Sequence, residues 1–137
     1  MTDLVLDTSV AVALLLRSHT AHAAVRLQTA GRAAALTTHS LAETYSVLTR
    51  LPADARVAPA DAVRLLEGNF TTPLAVPPED LVALPRVLAA RGVAGGAVYD
   101  ALVGLAARAA AVPLLTRDAR AMSTYTALDV EVEVVRD

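Results

Sequence analysis

The sequence has 137 residues, 55% of them hydrophobic, and a formal net charge of −2 from 12 basic and 14 acidic side chains. This length predicts a single domain, residues 1–137, that can bury a full core, and the charge excludes nonspecific nucleic-acid binding through the molecule as a whole. Every basic residue is an arginine, so mechanisms that need a lysine, such as the P-loop phosphate site or a Schiff base, are excluded as well.

No stretch of the sequence predicts membrane insertion or export. The longest uninterrupted apolar run, residues 10–16, is far shorter than the roughly 18 to 20 residues that a membrane-spanning helix needs. The N-terminus lacks the basic region and cleavage pattern of a signal peptide. With no cysteine in the chain, these features predict a soluble, cytoplasmic protein without membrane contacts.

Short apolar runs alternate with helical patterns along the chain. Strands are predicted at residues 4–6, 33–37, 72–76, 112–116 and 130–135. Helices are predicted at residues 8–16, 21–30, 39–50, 59–69, 77–91 and 97–108. Pro85 should kink the fifth helix or divide it into two. This alternation predicts an α/β fold in which the turns after the strands of a parallel, doubly wound sheet open at one edge.

Two acids directly follow predicted strands. Asp7 stands at the carboxyl end of the first strand, the edge where open α/β sheets keep their ligand sites. Asp118 repeats the arrangement after the strand that ends at Thr116. Each of these acids has an alternative explanation as the N-cap of the helix that follows it.

Two further acids lie early in predicted helices. Ser40 and Glu43 match a capping box, in which the glutamate reaches back to the backbone N–H of the cap residue. Asp100 is a charge in the first turn of an otherwise apolar helix. The helix dipole can explain Asp100, but a buried carboxylate needs a partner, and no cation precedes it within one turn.

Asp7, Glu43, Asp100 and Asp118 all lie at or just after turns that open at the same sheet edge. Four carboxylates drawn together repel one another unless a cation neutralises them. Magnesium or manganese is the predicted cofactor, since hard divalent cations take oxygen ligands and no histidine or cysteine cluster offers the softer site that zinc prefers. Such an ion can polarise a phosphoryl oxygen and lower the pKa of a bound water.

Three motifs, LVLDTS at residues 4–9, YDAL at residues 99–102 and LLTRD at residues 114–118, together with Glu43 after the second strand, resemble a known family. The sequence is similar to PIN-domain ribonucleases, specifically the VapC-type toxins of bacterial toxin–antitoxin pairs, over essentially the whole chain. The resemblance implies a three-layer α/β/α sandwich around a mostly parallel sheet of four to five strands.

The same resemblance implies functional residues and partners. It implies that Asp7, Glu43, Asp100 and Asp118 bind Mg²⁺ or Mn²⁺ and hydrolyse RNA phosphodiester bonds, with the hydroxyls of Ser9 and Thr116 close to the metal. It also implies a homodimer and a cognate VapB-type antitoxin whose C-terminal segment fills the catalytic groove. Capture of the RNA is expected to depend on four arginines, namely Arg17, Arg50, Arg117 and Arg120.

Three other classes of protein are alternatives to this interpretation. A receiver-like signalling module also gathers acids around Mg²⁺, but that resemblance calls for a lysine and the chain has none. A nucleotide-binding Rossmann domain is disfavoured because no G-x-G-x-x-G follows the first strand. A catalytically silent PIN-like protein-binding module remains the alternative.

Overall fold

The computed structural model describes residues 1–136, which form four strands and seven α-helices. The strands are β1 (Leu4–Leu6), β2 (Ala34–Ala35), β3 (Leu114–Thr116) and β4 (Val132–Val134). The helices are α1 (Thr8–Leu15), α2 (His22–Thr29), α3 (Thr38–Thr49), α4 (Pro59–Asn69), α5 (Pro78–Ala90), α6 (Ala97–Ala110) and α7 (Met122–Ala127). Within residues 1–136, no helix is long and apolar enough to cross a membrane.

The four strands form one parallel sheet in the order β2-β1-β3-β4. Strand β1 is central, because Val5 pairs with Ala35 on one side and with Leu114 on the other. From β1 the chain goes first to one side of the sheet and later to the other. The carboxyl ends of β1 and β3 therefore border a topological switch point, where open α/β sheets form their ligand crevice.

The side chains of β1 divide the core into two parts. Leu4 and Leu6 pack with residues of α1 and α2 on one face of the sheet, whereas Val5 packs with residues of α6 and α7 on the other. All three side chains are completely buried, and each such burial contributes roughly 1.5–3 kcal/mol to the hydrophobic stabilisation. Helices on both faces confirm the expected α/β/α sandwich.

One local prediction was wrong, and one of the two alternatives of another does not occur. The strand predicted at residues 72–76 is reduced to a single bridge between Thr37 and Leu74. Leu74 N–H donates to Leu36 O over 2.9 Å, but Pro73 has no N–H and cannot extend the ladder. The division expected at Pro85 does not occur, since α5 runs unbroken from Pro78 to Ala90. Pro85 is exposed, so water can hydrogen-bond the carbonyl that the proline leaves without an intrahelical donor.

Candidate active site

All four predicted acids line one pocket at the carboxyl edge of the sheet. They are supplied by the residue that precedes α1, by the second turn of α3, by the first turn of α6, and by the turn after β3. The pocket volume is about 70 Å³, which accommodates an ion and a few waters but not a nucleotide. The lining residues are Asp7, Thr8, Ser9, His39, Glu43, Tyr99, Asp100, Val103, Asp118 and Tyr125.

Asp7 is the most buried of the four acids, with 6% of its surface exposed. Its Oδ1 accepts hydrogen bonds from Ser9 Oγ at 2.6 Å and from the backbone N–H of Val10 at 3.2 Å. Asp7 is therefore the N-cap of α1 as well as a pocket residue. The other carboxylate oxygen, Oδ2, has a longer contact of 3.4 Å from the Tyr125 hydroxyl.

The protonation equilibria of Asp7 and Asp100 reflect burial and mutual repulsion. Burial raises the pKa of Asp7, while hydrogen bonds from the hydroxyls of Ser9 and Thr116 act in the opposite direction. Burial also raises the pKa of Asp100, and the negative charges of Asp118, Asp7 and Glu43 raise it further. The pocket thus concentrates negative charge that a bound cation would neutralise.

Glu43 does not take part in the capping box that was the alternative explanation of this residue, so that alternative is wrong. Helix α3 begins at Thr38, so Thr37 is the N-cap and Ser40 occupies the third helical position. Ser40 N–H donates to Thr37 Oγ1 at 3.0 Å, and Thr37 N–H donates to Ser40 Oγ at 2.9 Å. The carboxylate of Glu43 is left to line the pocket, 3.7 Å from His39 Nε2.

Asp118 is held by the turn that follows β3. Its Oδ1 accepts a hydrogen bond of 2.9 Å from the backbone N–H of Arg120, which caps a short 3-10 turn, Ala119–Ala121. Its own backbone N–H donates to Thr116 Oγ1 at 3.0 Å. The Ser9 hydroxyl therefore contacts Asp7, and the Thr116 hydroxyl contacts the backbone of Asp118.

Tyr125 is a pocket residue that sequence reasoning missed. Its side chain is fully buried, and burial together with the charges of Asp7 and Asp100 raises the pKa of its hydroxyl, which remains a hydrogen-bond donor. A Cβ at Gly104 would lie only 3.1 Å from Tyr125 Cδ1 and 3.0 Å from Val130 Cγ2. A glycine inside an apolar helix was the one sequence signal of this close approach.

His39 and Tyr99 are also pocket residues that the sequence did not reveal. Their rings stack with centroids 5.5 Å apart and planes inclined by 14°. His39 lies in the first turn of α3 and Tyr99 in the first turn of α6. The two residues are distant in sequence, so only the tertiary structure brings them together.

The four predicted arginines are all exposed, and none of them lines the pocket. Arg120 is the nearest by its side chain, with Nε 3.5 Å from Asp118 Oδ1. Arg117 adjoins the site through its backbone N–H, which donates to Ser9 Oγ at 3.4 Å. Arg17 and Arg50 lie just beyond the C-terminal ends of α1 and α3, whose opposite ends face the pocket.

The donor set suits a hard divalent cation. Within residues 1–136, no three histidine, cysteine, aspartate or glutamate side chains lie close enough together to hold an ion as they are placed. The pocket nevertheless offers carboxylate and hydroxyl oxygens and no sulfur, which is the set that Mg²⁺ and Mn²⁺ prefer. Thr8 Oγ1 and His39 Nε2 are buried at its wall without a hydrogen-bond partner in the described chain, and a polar ligand or its waters would satisfy them.

Comparison with known proteins identifies the family. The family model described as PIN domain matches residues 4–126. Over 131 residues, 96% of each chain, the sequence is 58% identical to a Mycobacterium tuberculosis protein named Ribonuclease VapC27. The chain belongs to the PIN-domain family of VapC proteins. A second M. tuberculosis relative, named Ribonuclease VapC40, is 47% identical to this PIN-domain protein over 94% of its length and 96% of the relative's.

Solved structures of low sequence identity share the fold of this PIN-domain protein. VapBC2 from Rickettsia felis, bound to a DNA fragment from its promoter, superposes with a TM-score of 0.67 at 13% identity over 97% of this chain and 98% of the other. FitAcB from Neisseria gonorrhoeae gives a TM-score of 0.65 at 18% identity over 94% and 95%. These matches extend over nearly the whole chain.

Proposed function

We propose that this VapC protein is the toxin of a type II toxin–antitoxin pair, an Mg²⁺- or Mn²⁺-dependent endoribonuclease that hydrolyses RNA phosphodiester bonds. The observation that carries the proposal is the pocket at the sheet switch point, which is lined by four carboxylates. The ribonuclease names of its two relatives support the reaction. The VapBC structure among its neighbours supports neutralisation by a cognate VapB-type antitoxin.

Asp7, Glu43, Asp100 and Asp118 are the residues that would hold the ion. When bound, Mg²⁺ or Mn²⁺ supplies positive charge that polarises the phosphoryl group and lowers the pKa of a water ligand. Ser9 Oγ and Val10 N–H orient Asp7 by binding its Oδ1. Thr116 Oγ1 orients the backbone beside Asp118. These contacts keep the carboxylates in place without occupying all of their oxygens.

The four exposed arginines are the proposed phosphate contacts. Arg117 and Arg120 adjoin the pocket and would bind phosphates close to the cleaved bond. Arg17 and Arg50 lie farther away and would bind more distant phosphates. The protein would act in the cytoplasm, where its RNA substrates occur.

A homodimer is part of the same proposal. Several large apolar side chains are exposed, among them Leu81, Val82 and Val87 of α5, with exposed fractions of 45%, 86% and 39%. Apolar surface of this kind is typical of a face that a partner covers.

Cleavage of total RNA by the purified protein, with and without Mg²⁺ or Mn²⁺, tests the proposal. We expect discrete fragments that require the ion. Asp7→Asn and Asp100→Asn should each reduce the cleavage rate by more than about 100-fold, because each removes a charge on which binding of the ion depends. Circular dichroism should show that both variants remain folded.

Asp54→Asn is the matched control, because Asp54 is exposed on a short 3-10 turn and does not line the pocket. It should cleave like the wild type. Normal cleavage by a folded Asp100→Asn variant would contradict a mechanism in which the acids hold the metal ion. Binding of Mg²⁺ without cleavage of any RNA would favour the catalytically silent binding module.

A further inference from the structure

The rim of the acidic pocket carries an aromatic surface that the proposed metal chemistry does not use. The ring of Tyr99 stacks on His39, yet 57% of the surface of Tyr99 is exposed. The other tyrosines differ from it, since Tyr125 is fully buried and Tyr45 does not line the pocket. Tyr99 is therefore the exposed aromatic ring that adjoins the acids.

The position of the stack relates it directly to the acids. Tyr99 immediately precedes Asp100 in α6, and His39 lies one turn before Glu43 in α3, with Nε2 3.7 Å from the carboxylate. His39 covers one face of the Tyr99 ring and limits its rotation. The remaining exposed surface of the ring is available to a planar ligand bound beside the pocket.

Size and charge indicate what that ligand is. A pocket of about 70 Å³ cannot enclose a nucleotide, so a base whose phosphate reached the acids would have to lie at the rim. A bound cation and the adjoining Arg117 and Arg120 would attract the phosphate, but charge does not hold a base, so a base at the rim needs a contact of another kind. Aromatic stacking provides such a contact for any nucleobase.

We propose that Tyr99, backed by His39, stacks on a base of single-stranded RNA next to the phosphate that is cleaved in the acidic pocket. This proposal rests on the proposed endoribonuclease function and adds a base-binding residue to it. Bases in an A-form duplex are paired and stacked on each other, whereas those of loops and single strands can turn outward onto a ring. The ring of Tyr99 would therefore contact an unpaired base and not a base inside a duplex.

The absence of tryptophan from the chain allows a direct test. Tyr99→Trp places a single tryptophan at the proposed contact, and Tyr45→Trp places one on α3 outside the pocket as the matched control. Both are made in the Asp7→Asn background and titrated, in Mg²⁺, with a short single-stranded RNA of mixed sequence. A strand of equal length without bases and a duplex of the same sequence are titrated in parallel, and anisotropy of labelled RNA measures binding independently.

We expect the single strand to quench the tryptophan fluorescence of the Tyr99→Trp protein and not that of the Tyr45→Trp control. The baseless strand and the duplex should leave both proteins unquenched, because neither offers an unstacked base to the ring.

Steady-state kinetics in the otherwise wild-type enzyme give a second measurement. Tyr99→Ala should lower kcat/KM by about 5- to 150-fold, and Tyr99→Phe should restore it because the ring face remains. His39→Ala should lower kcat/KM less, mainly through KM, with rescue by His39→Phe. The melting temperature of the Tyr99 variants should stay constant, since Tyr99 is exposed.

Two results would overturn the stacking proposal without contradicting the proposed endoribonuclease function. One is RNA binding by anisotropy without quenching in the Tyr99→Trp protein. The other is metal-dependent cleavage with an unchanged kcat/KM in Tyr99→Ala. Failure of the wild-type protein to cleave or bind any RNA would instead overturn the proposed function, and the stacking proposal with it.

Discussion

Asp7 uses its two carboxylate oxygens differently. Oδ1 is engaged by Ser9 and by the N-terminus of α1, whereas Oδ2 has a longer contact with Tyr125. The capping explanation and the functional one are therefore compatible, because the cap uses Oδ1 alone. The same holds for Asp118, whose Oδ1 caps a 3-10 turn while the residue lines the pocket.

Asp100 provides a test of the electrostatic cost of gathering the acids. Its folded-state pKa is held above 3.8 by burial and by the charges of Asp118, Asp7 and Glu43. Ionisation of Asp100 therefore destabilises the metal-free fold above the raised pKa, and this effect disappears below the unfolded value. We expect Asp100→Asn to raise the melting temperature in EDTA at neutral pH, with the gain shrinking towards about pH 4.

Thermal unfolding with and without Mg²⁺ measures this effect. The ion should stabilise the wild type more than the variant, because it binds the folded wild-type pocket more tightly. Asp54→Asn, on an exposed 3-10 turn, should show neither response. A lower melting temperature of metal-free Asp100→Asn at neutral pH would contradict the repulsion argument.

At the scale of elements, the N-terminus of α3 determines what Glu43 can do. Thr37 and Ser40 cap the helix reciprocally and are almost completely buried, with exposed fractions of 1% and 0%. Because this pair satisfies the N–H groups of Thr37 and Ser40, the helix needs no cap from Glu43. The separation of the two tasks leaves the carboxylate free for the pocket.

Thr37→Ala and Glu43→Ala should therefore differ in stability. Loss of the Thr37 cap should lower the free energy of unfolding by about 1 kcal/mol, because Ser40 N–H loses its acceptor. Glu43→Ala should change it by less than about 0.5 kcal/mol in the metal-free protein. Urea unfolding of both variants measures the difference. An equal decrease in the free energy of unfolding of the two variants would indicate that Glu43 also caps the helix.

The elements were predictable from sequence where the local signal was strong. The unalternated run at Leu4–Leu6 and the proline at the start of α4 located those elements correctly. The capping box failed because α3 begins at Thr38, one residue before the predicted start, with Thr37 as its cap. The stack of His39 on Tyr99 had no local signal, since it depends on how α3 and α6 pack.

For the whole molecule, charge predicts a localised RNA site. The net charge is −2, and the pocket itself is acidic, so phosphate attraction must come from particular arginines. The affinity for single-stranded RNA should then depend only moderately on salt, since few counterions are released.

Arg117→Gln and Arg120→Gln should each reduce the slope of log K against log salt concentration by about 0.7. Arg86→Gln is the control, because Arg86 is exposed on α5 and does not line the pocket. Anisotropy titrations in the Asp7→Asn background, at fixed Mg²⁺, measure the slopes. An unchanged slope in a variant that carries both Arg117→Gln and Arg120→Gln would show that these arginines do not contact phosphate.

The central position of β1 also determines when activity can begin. Its backbone is completed by segments made much later, since Val5 N–H donates to Pro113 O at 2.9 Å and Asp7 N–H donates to Leu115 O at 3.2 Å. A ribosome-bound chain that lacks residues 114–118 has neither the strand that covers this edge of β1 nor the fourth acid. Such long-range pairing also forms slowly. With Asp118 in its proposed role, the nascent protein would be unable to cleave RNA until those residues have left the ribosome and docked.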